Sequence, residues 1–284
     1  MKMTWFLEEA PLLETTKILQ DYHMHTSFSC DSKAKPEEMI KSAIAKGLTS
    51  ISITDHYDLE CIDYKEDETF DSKDYFATLL PLKEKYKDKI AINIGVELGL
   101  QPGCGKVFLP LVKNNPFEFI IGSVHVFKGR DLAKGEVFIG RREEDVYPEY
   151  FEEVLQNIKE YKKFNVLGHL DYPIRYSKGK NTTYHYKNHK EVLDDILKEL
   201  IDTGRGLEVN AAGLKYGLPF AHPRQEILKR YVELGGEILT IGSDAHRPNH
   251  IAYDYERVKE YLKSCNVKNY TIFSSSGINF YQLT

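Results

Sequence analysis

The feature that most constrains the fold of this chain is a regular alternation of short apolar runs with amphipathic, helix-like stretches. Strands that alternate with helices at this spacing are typical of parallel βαβ units. Seven or eight such units in fewer than 300 residues favour a closed α/β barrel over an open sheet. The runs lie at 16–25, 48–56, 90–100, 117–126, 164–172, 206–211 and 237–246, with a shorter one at 270–273.

The stretches between the runs have the periodicity of helices. Pro36 is a favourable first-turn residue, and Gly235 and Gly236 are typical of a helix end. Two irregular stretches, 58–74 and 101–115, each follow a strand and are predicted to be loops, which in a barrel usually carry function. No repeat or linker divides the chain, so we predict one domain over 1–284. The predicted helices are 36–47, 75–87, 143–163, 190–202, 225–234 and 251–263.

Composition and charge argue against several classes of protein. A net charge of −5 is unlike that of a general nucleic-acid binder, which is usually basic. No run approaches the roughly 18 apolar residues of a membrane helix. The 4 cysteines are scattered, and residues 1–10 lack the layout of a signal peptide. We therefore expect a cytoplasmic protein with neither a nucleic-acid nor a membrane partner, and its oligomeric state stays open.

Side chains that can bind metals lie at the ends of the apolar runs. The carboxyl ends of parallel barrel strands meet at one rim, so these side chains should converge. A single histidine at a strand end is more often a core residue, but here five strand ends carry one. Imidazole and carboxylate together suit zinc, iron or manganese, and there are more donors than the four that one zinc ion takes. The sequence therefore predicts a multinuclear site built from His23, His25, Asp55, His56, Glu97, His125, His169, Asp244 and His246.

Six short motifs resemble, in order, those of the polymerase-and-histidinol-phosphatase (PHP) family. They are HMHT at 23–26, TDH at 54–56, GVE at 95–97, GSVH at 122–125, GHLD at 168–171 and GSDAH at 242–246. The segments GHLDYPIRY and EVNAAGLK resemble its histidinol-phosphate phosphatase branch in particular. The resemblance implies a distorted TIM-like barrel of seven β/α units that holds about three divalent ions, which could be zinc, iron or manganese.

The resemblance also implies which residues hold each ion. Asp31 is included although many relatives have a histidine at the matching place. The first ion would be held by His23, His25, Glu97 and Asp244, the second by Glu97, His125 and His169, and the third by Asp31, His56 and His246.

Substrate contacts are implied by the same resemblance. Arg175 and Lys215 lie where relatives have basic residues for the phosphate, although Lys215 would lack the bidentate fork of an arginine. Asn210 ends the sixth run and is predicted either to contact the substrate or to make a buried polar bond. Asp55 and Asp171 are predicted to support the metal ligands from behind, Asp171 could instead protonate the leaving alkoxide, and a purely structural role stays open for both.

These residues predict a phosphomonoesterase. We expect a metal-bound hydroxide to attack phosphorus directly, with no covalent phosphoenzyme. The resemblance implies L-histidinol phosphate as the substrate, in histidine biosynthesis. The alternatives are a PHP-type nuclease, a nucleotide or other small-molecule phosphoesterase, and a non-enzymatic metal-binding or regulatory domain, which the intact ligand positions disfavour.

Four histidines lie outside the strand-end pattern. We predict that they are surface residues, although His222 falls in a loop near the expected pocket. They are His185, His189, His222 and His250.

Overall fold

The centre of the molecule is a ring of seven parallel strands. The computed structural model describes residues 13–61, 63, 67–179, 184–274 and 277–284. The strands are β1 (Gln20–Asp21), β2 (Ser50–Ile53), β3 (Ala91–Gly99), β4 (Phe119–Ser123), β5 (Val166–Leu167), β6 (Gly206–Asn210) and β7 (Leu239–Gly242). They lie side by side in chain order.

The ring closes between β7 and β1. The Tyr22 N–H donates to the Ile241 carbonyl at 2.9 Å, and the His25 N–H donates to the Ala245 carbonyl at 2.8 Å. Two of the strands, β1 and β5, are only 2 residues long, so the barrel is uneven. The predicted distorted (β/α)7 barrel is confirmed.

Burial on both faces explains the near-continuous apolar character of the runs. In β3, Ile92, Ile94 and Val96 are buried on one face, and Asn93 and Glu97 are buried on the other. A strand of a parallel barrel packs against helices outside and against other side chains inside, so neither face can be polar without a partner. A polar residue within such a strand therefore points to a specific interaction.

Helices cover the outside of the ring. They are α1 (Pro36–Ala45), α2 (Ser72–Tyr86), α3 (Gly105–Asn114), α4 (Glu143–Glu160), α5 (Lys190–Asp202), α6 (Ala212–Lys215), α7 (Gln225–Glu233) and α8 (Tyr255–Ser264). Helix α2 begins three residues before the predicted start at Tyr75. The cause is Asp71, whose side chain accepts hydrogen bonds from the N–H groups of Lys73 and Asp74.

The prediction that 101–115 is a loop was wrong, because helix α3 occupies most of it. Two features conceal this helix in the sequence. Pro110 lies inside it, and its apolar residues follow one another in a short run, with Val107 and Leu109 exposed, so they resemble a strand or loop more than the face of a helix.

The last predicted run does not join the barrel. It forms β8 (Asn269–Ser274), which pairs antiparallel with β9 (Gly277–Leu283). The short strand Leu13–Thr15 adds to the other side of β9. The Tyr22 hydroxyl donates to the Phe273 carbonyl at 2.7 Å and so ties this small sheet to the barrel.

Two further observations concern the cysteines and the helices. All four cysteines carry free thiols. Within the described ranges, none of the helices combines the length and the apolar character needed to cross a bilayer.

Candidate functional site

The predicted ligands converge at the carboxyl-terminal rim of the barrel. His23 and His25 follow β1 and place their ring centroids 5.1 Å apart. Glu97 points from β3 into the centre and is wholly buried. We call the nine side chains that meet here the histidine–carboxylate cluster: His23, His25, Asp31, His56, Glu97, His125, His169, Asp244 and His246.

The first predicted ion position is outlined by two imidazoles and two carboxylates. Glu97 Oε2 lies 3.1 Å from His23 Nε2 and 3.5 Å from His25 Nε2. Asp244 Oδ1 lies 3.4 Å from His25 Nε2 and 4.0 Å from His23 Nε2. Ligands bonded to zinc at about 2.0–2.2 Å in a tetrahedron lie about 3.3–3.6 Å apart. Three of these separations lie within about 0.2 Å of that range, whereas the one between His23 and Asp244 is longer, so His23, His25 and Glu97 suit one ion and Asp244 lies beside them.

The second position uses the other oxygen of the same glutamate. Glu97 Oε1 lies 2.9 Å from His169 Nε2 and 3.2 Å from His125 Nε2. The two Nε2 atoms are 3.4 Å apart. Glu97 can therefore bridge two ions, one on each oxygen.

The third position lies closer to solvent. Asp31 Oδ2 is 2.8 Å from His246 Nε2 and 3.8 Å from His56 Nε2. The His25 ring stacks on those of His56 and His246, with centroids 4.1 Å and 4.2 Å away. The Asp31 side chain is 50% exposed, unlike the rest of the cluster, so this position is the most open.

The hydrogen bonds of the rings fit a cation at the centre. His23 Nδ1 lies 2.6 Å from Glu208 Oε1, and His125 Nδ1 lies 2.8 Å from Asp58 Oδ1. A ring whose Nδ1–H donates to a carboxylate presents the Nε2 lone pair, as metal-ligating histidines do. The buried atoms His23 Nε2, His25 Nε2 and Glu97 Oε2 have no hydrogen-bond partner among the residues described. Such orphaned atoms are costly unless a ligand satisfies them, so the residues fit bound cations.

The electrostatics of the cluster favour an ionised bridging carboxylate. Burial would raise the pKa of Glu97, but His23, His125 and His56 outweigh it and hold the pKa well below its usual range. Burial likewise opposes ionisation of Asp244, yet His23, His25 and Arg175 keep its pKa low. Two buried carboxylates therefore stay negative where cations would bind.

Glu208, in β6, was not predicted, although it supports the cluster from behind. It is buried, and besides its contact with His23 it accepts a hydrogen bond from the His169 N–H at 2.9 Å. The signal was a carboxylate in the middle of an apolar strand, where an unpartnered charge would be very costly. Glu208 thus fixes residues that belong to both buried ion positions.

Asp58 was also missed, because it falls in the stretch 58–74 that was predicted only as a loop. Its Oδ1 holds His125, and its Oδ2 lies 3.4 Å from His56 Nδ1. The Asp58 carboxylate sits where a Cβ of Gly99 would be, so a side chain at Gly99 would displace it.

Two motif glycines are explained by the same packing. A Cβ at Gly242 would overlap Glu208 Oε1 and the His23 side chain. A Cβ at Gly168 would overlap Ser123 Oγ, which donates to Glu97 Oε1 at 2.6 Å. The glycines of GHLD and GSDAH therefore leave room for the groups that hold the ligands.

Arg175, the predicted phosphate contact, lies beside the cluster. Its Nη2–H donates to Asp244 Oδ2 at 3.2 Å, and its side chain is 4% exposed. Lys215 is close by, with Nζ donating to the Asp244 carbonyl at 2.7 Å. Asn210 lies beneath them, fully buried, and its Nδ2 donates to Glu208 Oε2 at 3.1 Å. A substrate contact by Asn210 stays a prediction, since its amide is already engaged.

The prediction that the four remaining histidines lie at the surface was wrong for His222 and His189. His222 is 0% exposed and bonds both Arg175 and Asp171, while His189 is packed among Tyr147, Phe151 and other rings. His189 is buried because distant segments bring aromatic side chains against it. His222 is buried because its loop folds back over β6.

The two predicted supporting aspartates have different positions. Asp55 accepts hydrogen bonds from Thr26 and from Ser29 Oγ, and Ser29 Oγ in turn lies 3.1 Å from His25 Nδ1. Asp171 does not touch the cluster directly but lies against His222. Its carboxylate therefore acts on the site only through other residues.

A cavity of about 270 Å³ opens onto the cluster from solvent. Four carboxylates contribute to its lining, together with His56, His125 and Tyr172; they are Asp31, Asp58, Glu68 and Asp131. Its volume suits a small molecule rather than a polymer. The acidic lining favours a ligand with a cationic part next to the group that the ions would bind.

Comparison with known proteins gives consistent matches over most of the chain. A family model described as the PHP domain matches residues 21–212. A histidinol-phosphatase from Lactococcus lactis is 28% identical over 265 residues, covering 91% of this chain and 96% of that protein. The probable histidinol-phosphatase of Thermotoga maritima is 33% identical over 247 residues, covering 87% of this chain and 92% of that protein.

A solved structure also matches. It is the histidinol phosphate phosphatase of Lactococcus lactis in complex with zinc, L-histidinol and phosphate. It superposes with a TM-score of 0.82 at 28% sequence identity, and the match covers 93% of this chain and 99% of that chain.

Proposed function

The chain belongs to the PHP domain family, and we propose that it is a metal-dependent phosphomonoesterase that hydrolyses L-histidinol phosphate to L-histidinol and phosphate. The motif resemblance is thereby confirmed. The observation that carries the proposal is the position of Arg175, whose guanidinium adjoins Asp244 of the histidine–carboxylate cluster at 3.2 Å. We further propose that residues 1–284 form a single domain, that the protein is located in the cytoplasm and that it acts in histidine biosynthesis.

We propose that the cluster holds about three divalent ions, of zinc, iron or manganese. Bound cations would acidify a water molecule for attack on phosphorus and neutralise the phosphoryl oxygens. The proposed ligand sets are His23, His25, Glu97 and Asp244 for the first ion, Glu97, His125 and His169 for the second, and Asp31, His56 and His246 for the third. Their support is the set of distances between donor atoms given above.

The basic residues would bind and orient the phosphate. Arg175 Nη1 has no hydrogen-bond partner within the described part of the chain, so it is available as a donor, whereas Nε and Nη2 are engaged. Lys215 holds one hydrogen bond to the Asp244 carbonyl, and an ammonium group has three hydrogens to give. Together they would add positive charge on the side of the phosphate that faces β6 and β7.

The acid-lined cavity supports a cationic alcohol as the leaving group. Histidinol carries an ammonium group and an imidazole, and both are attracted to carboxylates such as Glu68 and Asp131 in the lining. A nucleic acid would bring further phosphates into the same acidic cavity and would be repelled. Charge therefore favours the small substrate over the nuclease alternative.

The experiment is a substrate panel on the purified protein. The protein is stripped with a chelator, reloaded with zinc, manganese or iron, and tested on L-histidinol phosphate, nucleoside monophosphates and single-stranded DNA. We expect phosphate release from L-histidinol phosphate at the highest kcat/KM, only after reloading, and with one oxygen from labelled water in the phosphate. Release only from nucleotides or DNA would contradict the proposed substrate, and phosphate free of the label would contradict attack at phosphorus.

A pair of arginine variants isolates the phosphate contact. Arg175→Ala should lower kcat/KM by at least about tenfold, since a charged hydrogen bond is worth about 1.5–3 kcal/mol. Arg142→Ala is the matched control, because this arginine is 73% exposed at the start of α4 and should leave the rate unchanged. Equal rates for the two variants would remove Arg175 from the site.

A further inference from the structure

The Arg175 side chain is held by contacts with several neighbours. Its guanidinium carbon lies 4.9 Å from the ring centre of Tyr172 and 5.0 Å from that of Tyr216, so two tyrosine rings pack against the guanidinium. Its Nη2 edge bonds Asp244, and its Nε–H donates to His222 Nε2 at 2.9 Å. A guanidinium held in this way has little freedom to rotate, so these neighbours set the direction of its Nη1 edge.

The bond to His222 determines where the proton of that imidazole sits. An arginine Nε–H can only donate, so His222 Nε2 must be the acceptor and the proton must be on Nδ1. His222 Nδ1 faces Asp171 Oδ1 at 2.5 Å, which accepts that proton's hydrogen bond. The imidazole is 0% exposed, so water cannot substitute for either partner.

Asp171 and the backbone fix the imidazole in place. Asp171 Oδ2 accepts from the Arg224 N–H at 2.8 Å, so both carboxylate oxygens are engaged. The His222 N–H donates to the Asn210 carbonyl at 2.9 Å, and the Asn210 N–H donates to the His222 carbonyl at 2.8 Å. The ring is therefore anchored to the carboxyl end of β6, at the rim that carries the histidine–carboxylate cluster.

We propose that Asp171 and His222 are positioning residues, which orient the Arg175 guanidinium so that Nη1 faces the substrate phosphate. This inference rests on the proposed phosphatase function. It gives Asp171 a different role from proton donation to the leaving group, because neither of its oxygens faces the cluster. Arg175 touches the substrate, and the other two residues act only through it.

Two substitutions of His222 separate this role from simple packing. A glutamine amide reaches the place of Nε2 and can accept from Arg175, whereas an asparagine amide reaches only the place of Nδ1. We expect His222→Asn to raise KM and the inhibition constant of inorganic phosphate about tenfold with little change in kcat, since it weakens uniform binding of the phosphate. His222→Gln should restore both constants to within about threefold of the wild type. Equal damage in the two variants would overturn the proposal.

A double-mutant cycle with Arg175 gives the decisive comparison. Inorganic phosphate binding is measured by calorimetry on zinc-loaded protein for wild type, His222→Asn, Arg175→Ala and the double variant. If His222 acts through Arg175, His222→Asn should cause no further loss of phosphate affinity once Arg175 is absent. Additive losses of affinity would refute this relay, in which His222 acts on the phosphate through Arg175. Asp171→Asn in the same cycle provides the test if His222→Asn fails to fold.

The phosphate measurement also separates this inference from the proposed function. A wild-type protein that binds phosphate but leaves L-histidinol phosphate intact would refute the substrate assignment, while the cycle would still report on the relay. An active wild type with an additive cycle would refute the relay alone.

Discussion

The most informative single substitution is Glu208→Gln, which removes one acceptor behind the histidine–carboxylate cluster. Glu208 Oε1 faces His23 Nδ1 at 2.6 Å, and Oε2 accepts from the His169 N–H at 2.9 Å and from Asn210 Nδ2 at 3.1 Å. A glutamine offers one carbonyl oxygen in place of two carboxylate oxygens. In either orientation its NH₂ group faces a buried donor.

The two orientations have different costs. If the NH₂ group faces His169, a buried N–H loses its acceptor, which costs about 1–3 kcal/mol of the free energy of unfolding. If it faces His23, the ring must move its proton to Nε2, the atom that points at Glu97. Loss of such a supporting carboxylate typically lowers metal affinity or activity about 10- to 100-fold. We expect both a less stable protein and a zinc affinity reduced by that factor.

The assay is zinc competition against a coloured chelator, paired with urea unfolding. Asp194→Asn is the control, because Asp194 is also largely buried but pairs with Arg230, between α5 and α7. The control should lose stability and keep its zinc affinity. If Glu208→Gln behaved in the same way as the control, the view that Glu208 orients ligands would be wrong and its role would be only structural.

Three further predictions follow from the same contacts. Removal of the metals should lower the melting temperature, and zinc at 100 times its Kd should restore about 2.7 kcal/mol of the free energy of unfolding. A melting temperature that does not change when zinc is added would contradict the metal site. Gly168→Ala should lose about 1–3 kcal/mol in urea unfolding because its Cβ would overlap Ser123 Oγ, while Gly105→Ala, with only a 3.8 Å contact, should be neutral. Hydrogen bonds from Arg230 lower the pKa of Asp194, so Asp194→Asn should lower the free energy of unfolding by up to about 1 kcal/mol at pH 7. The difference in stability between wild type and variant should shrink as the pH falls below about 4, where Asp194 is protonated in the unfolded chain. A stability difference that does not change with pH would contradict this.

The position of the histidine–carboxylate cluster was predictable because barrel geometry links its members to the ends of strands. His23, Glu97, His125 and His169 each lie at or near the carboxyl end of an apolar run, and parallel strands bring those ends to one rim. The strand order follows the chain order, so no knowledge of long-range pairing was required. Periodicity alone therefore gave both the fold class and the place of the site.

His222 and Asp58 could not be found in this way, because both lie on segments without periodicity. A loop residue reaches the site by a path that depends on tertiary packing, such as the backbone pairing of His222 with Asn210. The same limit applies to α3, where Pro110 and exposed apolar side chains hide the helical pattern. What the sequence leaves out is the set of residues that orient the ligands.

Glu208 is the instructive case, because β6 was the one strand expected to carry no ligand. A carboxylate between Leu207 and Val209 in a strand buried on both faces can be tolerated only if donors satisfy both oxygens. Near the carboxyl-terminal rim the available donors include the Nδ1–H of one histidine of the cluster and the backbone N–H of a second histidine of the cluster. Glu208 Oε1 can approach the His23 ring only if β7 carries no side chain there, and Gly242 meets that condition. The buried glutamate of β6 and the glycine of the GSDAH motif are therefore one packing requirement, because a side chain at Gly242 would overlap both Glu208 and His23.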